Sequence, residues 1–297
     1  MLINYNDTNG DKIFFFINSL LLTFALLIVS LPILNVIAQS FSSPKEVIAG
    51  RIFILPKSFT LDAYKQIFNS SMIKGGYLNS IKYTVIGTSI NIVFTILAAY
   101  PLSRKNFVGR KLIMSLFVFT MIFTAPLIPT YLNVKNLNML NSIWALVIPN
   151  AISVYNMVIA RTFFMNIVPD EMMEAGELDG ASDIQLLLKL VLPVSKSIMA
   201  VLILYYAVGH WNSYFDAFIY MSSENKFPLQ VVLRNIMANA NMVEQMINAS
   251  ADQTQKLANV EVMKYAVIVV GSIPVICIYP FVQKHFVKGV MIGSLKG

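Results

Sequence analysis

Residues 174–193 read EAGELDGASDIQLLLKLVLP, an acidic stretch with two glycines that separates two long apolar segments. Six of the fifteen acidic residues of the chain lie between positions 170 and 183, and no Lys or Arg occurs from 162 to 188. These acidic residues are Asp170, Glu171, Glu174, Glu177, Asp179 and Asp183. An anionic lipid surface would repel such a segment, so a protein with a basic or polar cleft is the better-matched neighbour.

The local chemistry of this stretch predicts a short helix, a sharp corner and a second helix. Pro169 suits a first helical position, because it has no N–H to leave without a partner. Gly180 can adopt the left-handed geometry that ends a helix. Ser182 and Gln185 have the spacing of a capping box, so a second helix is expected to start there and continue into the membrane. A helix that merely joins two spans is the alternative interpretation.

The composition indicates an integral membrane protein. Of 297 residues, 57% are hydrophobic and 12% charged, whereas soluble domains carry about 25% charged residues. The mean hydropathy is +0.67. A single cysteine, Cys277, excludes an internal disulfide framework. The net charge of +7 is what basic clusters beside membrane spans produce, so it does not indicate nucleic-acid binding.

Six apolar stretches are long enough for membrane helices, which need about 20 residues each. Pro126 and Pro129 are expected to kink the third helix, and the extension of the fifth towards Tyr220 stays open. The sequence therefore predicts an all-α membrane protein forming a single transmembrane domain over residues 1–297. The predicted spans are 13–38, 77–102, 112–132, 143–164, 186–206 and 262–282.

The orientation follows from the basic junction between the second and third spans, which carries Arg104, Lys105, Arg110 and Lys111. The positive-inside rule places this junction in the cytosol. Both termini and the acidic loop 166–185 are then cytoplasmic, and the loops 40–76 and 221–261 are extracellular. Five basic residues spread over 39–76 oppose this orientation, but they are less concentrated than the junction.

The two external loops are expected to contain short helices. Thr60 is a suitable N-cap for a helix that ends at Phe68. A second helix is expected over 228–238, in a polar loop rich in Asn, Met and Gln. Structureless loops longer than about 15 residues are uncommon, which favours a docking surface over plain connectors.

The corner resembles the cytoplasmic EAA loop of permease subunits of ABC importers. That loop carries Glu-Ala-Ala, then Asp-Gly-Ala, then Leu-Pro after a fixed gap. Gly176 replaces the usual second Ala, which costs about 1 kcal/mol in a helix interior, and Leu187 stands where an aromatic residue is frequent. The matching residues here are Glu174-Ala175-Gly176, Asp179-Gly180-Ala181 and Leu192-Pro193.

Short matches elsewhere extend the resemblance to the carbohydrate branch of these permeases. The chain is similar to the second permease of maltose importers and closest to the complex-polysaccharide and oligosaccharide (lipoprotein-linked) permeases. The resemblance implies a type I importer fold with six membrane helices and a coupling loop. The matches include Asn79-Ser80, residues 99–103, Leu127-Ile128-Pro129, Trp211-Asn212 and Pro228-Leu229-Gln230.

The resemblance also implies partners. These are a second homologous permease, two ATPase subunits and an extracellular sugar-binding protein, with membrane lipid around the chain. ATP and Mg would be bound by the partner ATPases, and this chain would bind no cofactor. The sequence itself has no P-loop, no Cys/His metal spacing and no serine nucleophile elbow, so catalysis by this chain alone is not expected.

Within the family the EAA loop couples the permease to its ATPase. Glu174 and Asp179 would supply polar contacts or local ion pairs, and Gly180 would set the corner. The alternative for the two acids is a solvated helix face. The full set of expected coupling residues is Glu174, Ala175, Gly176, Asp179, Gly180, Ala181 and Pro193.

Polar residues within the spans are candidates for the substrate pathway, because burying them in lipid is expensive. For the asparagines, hydrogen bonding between helices is an equally good interpretation. The aromatic residues also fit an interfacial belt. The candidates are Asn91, Asn150, Asn156, His210, Trp211, Asn212 and Tyr214.

Two other functions compete with a sugar-importer subunit. An ion-coupled secondary transporter predicts internal repeats and carboxylates within the membrane, but no clear repeat is present and the spans are nearly free of Asp and Glu. A membrane scaffold without transport leaves the acidic loop and the intramembrane asparagines without a shared purpose. Co-purified partners distinguish all three.

Overall fold

The computed structural model describes residues 8–245, 261–278 and 280, and every regular element in these ranges is a helix. A π-helical turn, Leu187–Val191, joins α10 to α11, and a 3-10 turn, Glu224–Lys226, precedes α14. The helices are α1 Asn9–Ser40, α2 Pro44–Ile48, α3 Asp62–Asn69, α4 Ser71–Ser103, α5 Arg110–Ile122, α6 Leu127–Asn136, α7 Trp144–Val147, α8 Val154–Ile167, α9 Asp170–Leu178, α10 Asp183–Leu186, α11 Leu192–Val194, α12 Lys196–Asn212, α13 Phe215–Tyr220, α14 Leu229–Gln245 and α15 Glu261–Ile278.

The chain divides into two compact units. One comprises Met1–Ser70 with Leu233–Gly271, and the other comprises Ser71–Val232 with Ser272–Gly297. The first unit contains α1, which is apolar on all sides and has no buried residue in its most apolar window. The second unit contains α4 to α13 and all of the candidate site residues.

Helix α4 is the centre of the second unit. Its 33 residues span about 50 Å at 1.5 Å per residue, and α8 and α12 both pack on it. Ala99 of α4 and Ala160 of α8 are fully buried. Small residues such as these allow membrane helices to approach closely, which explains the tight packing of this core.

Three helices are long and apolar enough to cross a membrane: Gly10–Ser40, Ser71–Ser103 and Glu261–Ile278. They correspond to the first, second and sixth predicted spans, the last as far as residue 278. The third and fifth spans occur as bent pairs, so the described residues contain up to five spans. The fourth predicted span is divided into α7 and α8. The all-α membrane fold is confirmed, but the count of six continuous helices is not.

The prolines explain two of the interruptions. The third span, predicted to be kinked, turns by 115° between α5 and α6, with Pro126 as the N-cap of α6. Pro149 lies in the non-helical segment between α7 and α8. A proline within a helix removes a hydrogen bond and clashes with the preceding turn, so both positions favour a break.

The fifth span turns by 86° between Asp183–Val194 and Lys196–Asn212. Pro193 lies two residues before the break at Ser195. The π-helical turn ends at Val191, two residues before Pro193. A π turn is one way for a helix to adjust its hydrogen bonds near a proline. Ser195 at the break is fully buried, and its hydroxyl has no hydrogen-bond partner among the described residues.

The two short helices predicted outside the membrane are present, with shifted ends. The N-cap of α3 is Leu61 rather than Thr60, although Thr60 Oγ1 accepts a hydrogen bond from the Asp62 N–H at 3.2 Å. Helix α14 starts one residue after the predicted position and continues beyond 238 to Gln245. Residues 246–260 of the predicted loop 221–261 lie outside the described residues.

Candidate functional site

The acidic stretch folds into a corner, defined here as residues 170–186, and Gly180 sets its turn. Helix α9 ends at Leu178, and Gly180 has φ 77°. The N–H of Gly180 donates to Glu177 O and that of Ala181 to Gly176 O, both at 3.0 Å. This pair of bonds defines a Schellman motif. A Cβ on Gly180 would meet nothing within 4 Å, so glycine is required there for its backbone conformation alone.

The second helix of the corner starts with the predicted capping box. Ser182 Oγ accepts from the Gln185 N–H at 3.4 Å, and Gln185 Oε1 accepts from the Ser182 N–H at 3.0 Å. Helix α10 therefore begins at Asp183. Pro169 is the N-cap of α9 rather than its first helical residue. The prediction for Pro169 was wrong by one position.

Gly176 has a packing reason that the sequence did not reveal. A Cβ at this position would clash with the Cδ2 atom of Leu186, which is only 2% exposed. The missing methyl group therefore provides the space in which Leu186 packs against α9. This contact offsets the helix-propensity cost of glycine and holds α9 and α10 close together.

The basic junction between α4 and α5 lies beside the acidic corner. Lys105 Nζ and Asp170 Oδ2 form an ion pair at 2.6 Å. The Lys105 ammonium lowers the pKa of the Asp170 carboxyl, and Asp170 raises the pKa of Lys105. Both side chains are at least half exposed, so water screens the pair and it fixes position more than it adds stability.

A groove of about 600 Å³ lies between the junction and the corner. The Arg104 guanidinium lies over the Tyr100 ring, 5.3 Å from its centroid, which fixes one wall. The opposite wall is acidic. The charged residues that line the groove are Arg104, Lys105, Asp170, Glu174, Glu177 and Asp183.

The exposed side of the corner combines acidic and apolar side chains. Glu174, Ala175 and Asp179 are exposed as a coupling role requires, and Ala181 is half-buried. Leu178 is 89% exposed and Ile184 69% exposed. Sequence reasoning missed these two residues, although large apolar side chains beside Gly180 in an acidic stretch were a usable signal. Pro193 lies in α11 beside the helix break rather than at the corner.

A second candidate site is a polar cavity of about 280 Å³ in the same unit. It contains four of the seven predicted pathway residues, namely Asn91, Asn150, Asn156 and His210. Trp211, Asn212 and Tyr214 do not line it. Trp211 is buried edge-on against Tyr77, with the ring centroids 5.4 Å apart. The cavity lining also includes residues that the sequence analysis missed: Ser153, Tyr205, Tyr206, Ser213 and Asp216.

Asn91 connects three segments at the cavity wall and is 1% exposed. Its Nδ2 donates to Asn150 O at 2.6 Å and to Ala151 O at 2.9 Å. Its Oδ1 therefore accepts from His210 Nε2 at 2.5 Å, which assigns the proton to Nε2. For Asn91, the geometry favours hydrogen bonding between helices over contact with a substrate.

Gly87 provides the space for His210. A Cβ at this position would lie 2.5 Å from the Cε1 and Nε2 atoms of the imidazole. Any other residue would displace the ring from Asn91. Gly87 thus positions His210, although no local feature of the sequence marks it.

Three more of the residues that line the cavity make hydrogen bonds through their side chains. Asn150 Nδ2 donates to Asp216 Oδ2 at 3.0 Å. The Tyr206 hydroxyl lies 2.6 Å from Thr95 Oγ1 and accepts from the Ser153 N–H at 3.2 Å. Tyr206 was not among the predicted pathway residues because it lies in an apolar run, and Asp216 was not among them although Tyr214 was.

One continuous core joins the corner to the cavity. It includes Met173 and Leu186 at the corner, Val191 and Leu202 between the sites, and Tyr206 at the cavity. All five side chains are at most 7% exposed. Close-packed interiors have low compressibility, and this core is packed without interruption between the two sites.

A membrane protein with a polar cavity between its helices, and with an exposed corner packed on the same core, has the architecture of a transport subunit. A family profile described as "Binding-protein-dependent transport system inner membrane component" matches residues 91–292. The chain belongs to this family.

Individual relatives and one solved structure agree with this assignment. The chain is 42% identical over 281 residues to the polygalacturonan/rhamnogalacturonan transport system permease protein YtcP of Bacillus subtilis, covering 93% of this chain and 96% of the relative. It is 40% identical over 293 residues to protein LplC of the same organism, covering 98% of each. A crystal structure of a bacterial ABC transporter that imports the acidic polysaccharide alginate matches with a TM-score of 0.84 and 32% identity, covering 95% of this chain and 100% of that chain.

These relationships confirm the resemblance to carbohydrate-type importer permeases that the motifs indicated. The fold is that of a type I ABC importer permease, and the chain is a multi-pass membrane subunit of such an importer. The family is non-catalytic, and transport in it depends on partner subunits. The roles of individual residues at the corner and the cavity remain predictions.

Proposed function

We propose that this chain forms half of a translocation pathway for an oligosaccharide and couples it to ATPase subunits through the corner. The core that runs from Met173 to Tyr206 is the observation that carries this proposal. It gives a force applied at the corner a packed route to the cavity. Contiguity alone is an associational argument for coupling. The rate of sugar-stimulated ATP hydrolysis in variants of the corner and the core tests it directly.

The exposed face of the corner is suited to a cleft on another protein. Leu178 and Ile184 offer apolar contact, while Glu174 and Asp179 offer charge. The partner ATPases would bind ATP and Mg and close around nucleotide, and this chain would bind no cofactor. Closure would move α9 and α10 together, because Leu186 packs in the space left by Gly176. The cavity would then change access by a rocking motion.

The size of the cavity fits a shared pathway. Its 280 Å³ is just below the roughly 300–1,000 Å³ of typical small-molecule pockets. A second homologous permease would supply the opposite wall. Asn150, Asp216 and Tyr205 are the groups available to sugar hydroxyls, whereas Asn91 is committed to the protein. An extracellular binding protein would deliver the sugar, with both termini of this chain in the cytosol.

The substrates named for two similar proteins narrow the proposed substrate class to acidic oligosaccharides. The names of the two neighbours at 42% and 32% identity specify polygalacturonan/rhamnogalacturonan and the acidic polysaccharide alginate. A relative named for galactooligosaccharides is 28% identical. Asp216, the only acidic residue among those that line the cavity, would accept hydrogen bonds from sugar hydroxyls, and the carboxylates of such a sugar would have to lie away from it.

Affinity purification of the tagged chain in mild detergent, followed by mass spectrometry, tests the assembly. We expect a P-loop ATPase and a second permease in the wild-type sample. Glu174→Lys should lose the ATPase but retain the second permease, and Lys189→Gln, a charge change outside the corner, should retain both. Recovery of the chain alone, with uptake that follows an ion gradient, would favour a secondary transporter. Recovery alone without uptake would favour a scaffold.

A further inference from the structure

An open groove of about 610 Å³ runs along α5 where it packs beside α8. One end is cationic, with Arg110 and Lys111 from α5 and Arg161 from α8. The rest is apolar apart from Ser115. Its remaining lining residues are Met114, Val118, Phe119 and Ile122.

The cations at this end lack an acidic partner among residues 8–245, 261–278 and 280. The ion pairs found in these ranges involve none of the three. Arg110 and Arg161 line the same end of the groove, so two like charges face one space. Helix α5 also has no acidic residue in its first turn, although Arg110 and Lys111 both lie there. Cations at a helix N-terminus oppose the helix dipole.

Both guanidinium groups are held in place by backbone oxygens at the end of α4. Arg161 Nε donates to Leu102 O at 2.8 Å, and Arg110 Nη1 donates to Arg104 O at 3.2 Å. Arg161 is also half-buried. Each guanidinium has five N–H groups, so several remain for an acceptor outside the chain. The positive-inside rule accounts for cations at the end of a span. It does not account for two guanidinium groups that are held near each other and are partly shielded from water.

The groove as a whole has about the length of one membrane leaflet. Residues 110 to 122 cover about 18 Å of helix, of which the apolar part from Met114 to Ile122 covers about 12 Å, and half of a hydrocarbon core is about 15 Å. Val118, Phe119 and Ile122 are 40%, 55% and 72% exposed. A ligand that matches both parts has an anionic head and an acyl chain. An acidic segment of another protein would match the cationic end but not the apolar length.

We propose that this groove is a binding site for an anionic phospholipid such as phosphatidylglycerol. The phosphate contacts Arg110, Lys111 and Arg161, and one acyl chain lies along Met114, Val118 and Ile122. Basic pockets at the ends of membrane helices are suited to anionic headgroups. The site is separate from the corner and the cavity, and it does not depend on which sugar is transported.

Native mass spectrometry of the purified transporter complex tests the proposal. The complex is mixed with phosphatidylglycerol and phosphatidylcholine of identical acyl chains, and bound lipids are counted at increasing lipid concentration. The wild type should prefer phosphatidylglycerol. The double change Arg110→Gln with Lys111→Gln should reduce that preference about 25-fold, since each cation near an anionic head contributes about five-fold.

Two control variants separate the site from general effects. Lys189→Gln with Lys196→Gln removes two exposed charges from α10–α12 and should leave the preference unchanged. Arg110→Lys with Lys111→Arg keeps both charges and should retain most of the preference. This result would show that changing these two positions does not by itself unfold the chain. Glycerol phosphate, a headgroup without acyl chains, should not displace the lipid at millimolar concentration.

Three results would overturn the proposal. The wild type could bind both lipids equally, the two neutralising double variants could lose the same preference, or glycerol phosphate could compete as well as the lipid does. Loss of the second permease on adding phosphatidylglycerol would also overturn it, because the groove would then be a protein interface.

Discussion

Gly180 is held at φ 77° in open space, so its effect comes from backbone conformation alone. Side chains in the left-handed region cost roughly 1–2 kcal/mol, least for Asn and most for β-branched residues. We therefore expect sugar-stimulated ATP hydrolysis to be highest in the wild type and to fall progressively in the variants Gly180→Asn, Gly180→Ala and Gly180→Val. Gly50 offers a matched control, because it has φ 63° and no atom near its absent Cβ. Gly50→Ala should leave hydrolysis unchanged, and an equal loss would contradict a special role for the corner.

Asn91 is the residue whose loss should cost most stability at the cavity. Asn91→Ala would leave Asn150 O, Ala151 O and His210 Nε2 without their partner. Unsatisfied buried groups cost about 1–3 kcal/mol each, so we expect a clear fall in the unfolding temperature of the purified complex. Asn212→Ala, at an exposed position, is the control. Equal unfolding temperatures for the two variants would refute the structural role of Asn91.

At the scale of elements, the Lys105–Asp170 pair joins the α4–α5 junction to the start of α9. Lys105→Glu should reduce sugar-stimulated ATP hydrolysis, because like charges would push α9 away from the junction. The double change Lys105→Glu with Asp170→Lys should restore it. Failure of the double variant to recover would show that the pair does not position α9.

The same pair makes a prediction about pH. The pKa of Asp170 is lowered in the folded chain, so its contribution is present above the usual carboxyl pKa and is lost only as pH falls through the lowered value. The pKa of Lys105 is raised, so its contribution is lost only as pH rises through that higher value. The difference in unfolding temperature between wild type and Asp170→Asn should therefore stay constant from about pH 5 to pH 9. A change within this window would contradict the pairing.

The helices show how far a single sequence predicts this fold. Hydropathy located the first, second and sixth spans and the two spans that occur as bent pairs. Cap chemistry predicted the turn at Gly180 and the Ser182–Gln185 box, because these signals are local. The angles at the breaks were not predictable, since they depend on which neighbour each half packs against. For the break at Ser195, the only local signal in the sequence is Pro193, two residues earlier. Gly176 packs against Leu186, and Gly87 packs against His210, each on a different helix. A single sequence does not show which residues of different helices come into contact.

At the scale of the whole molecule, coupling through the core requires that its buried residues transmit movement while exposed ones do not. Leu186→Ala should lower the free energy of unfolding by about 2–5 kcal/mol, because Leu186 is 2% exposed. It should also weaken the dependence of ATP hydrolysis on sugar. Leu188→Ala, two residues further along in the π-helical turn and 57% exposed, should do neither. Normal coupling in a folded Leu186→Ala complex would remove the core from the pathway.

The most direct test is the rate of ATP hydrolysis by the reconstituted transporter, measured with and without its binding protein and an acidic oligosaccharide. We expect sugar and binding protein together to stimulate ATP hydrolysis by the wild type. Glu174→Lys should abolish the stimulation, whereas Lys189→Gln should preserve it. Full stimulation in a folded Glu174→Lys complex would contradict coupling through the corner.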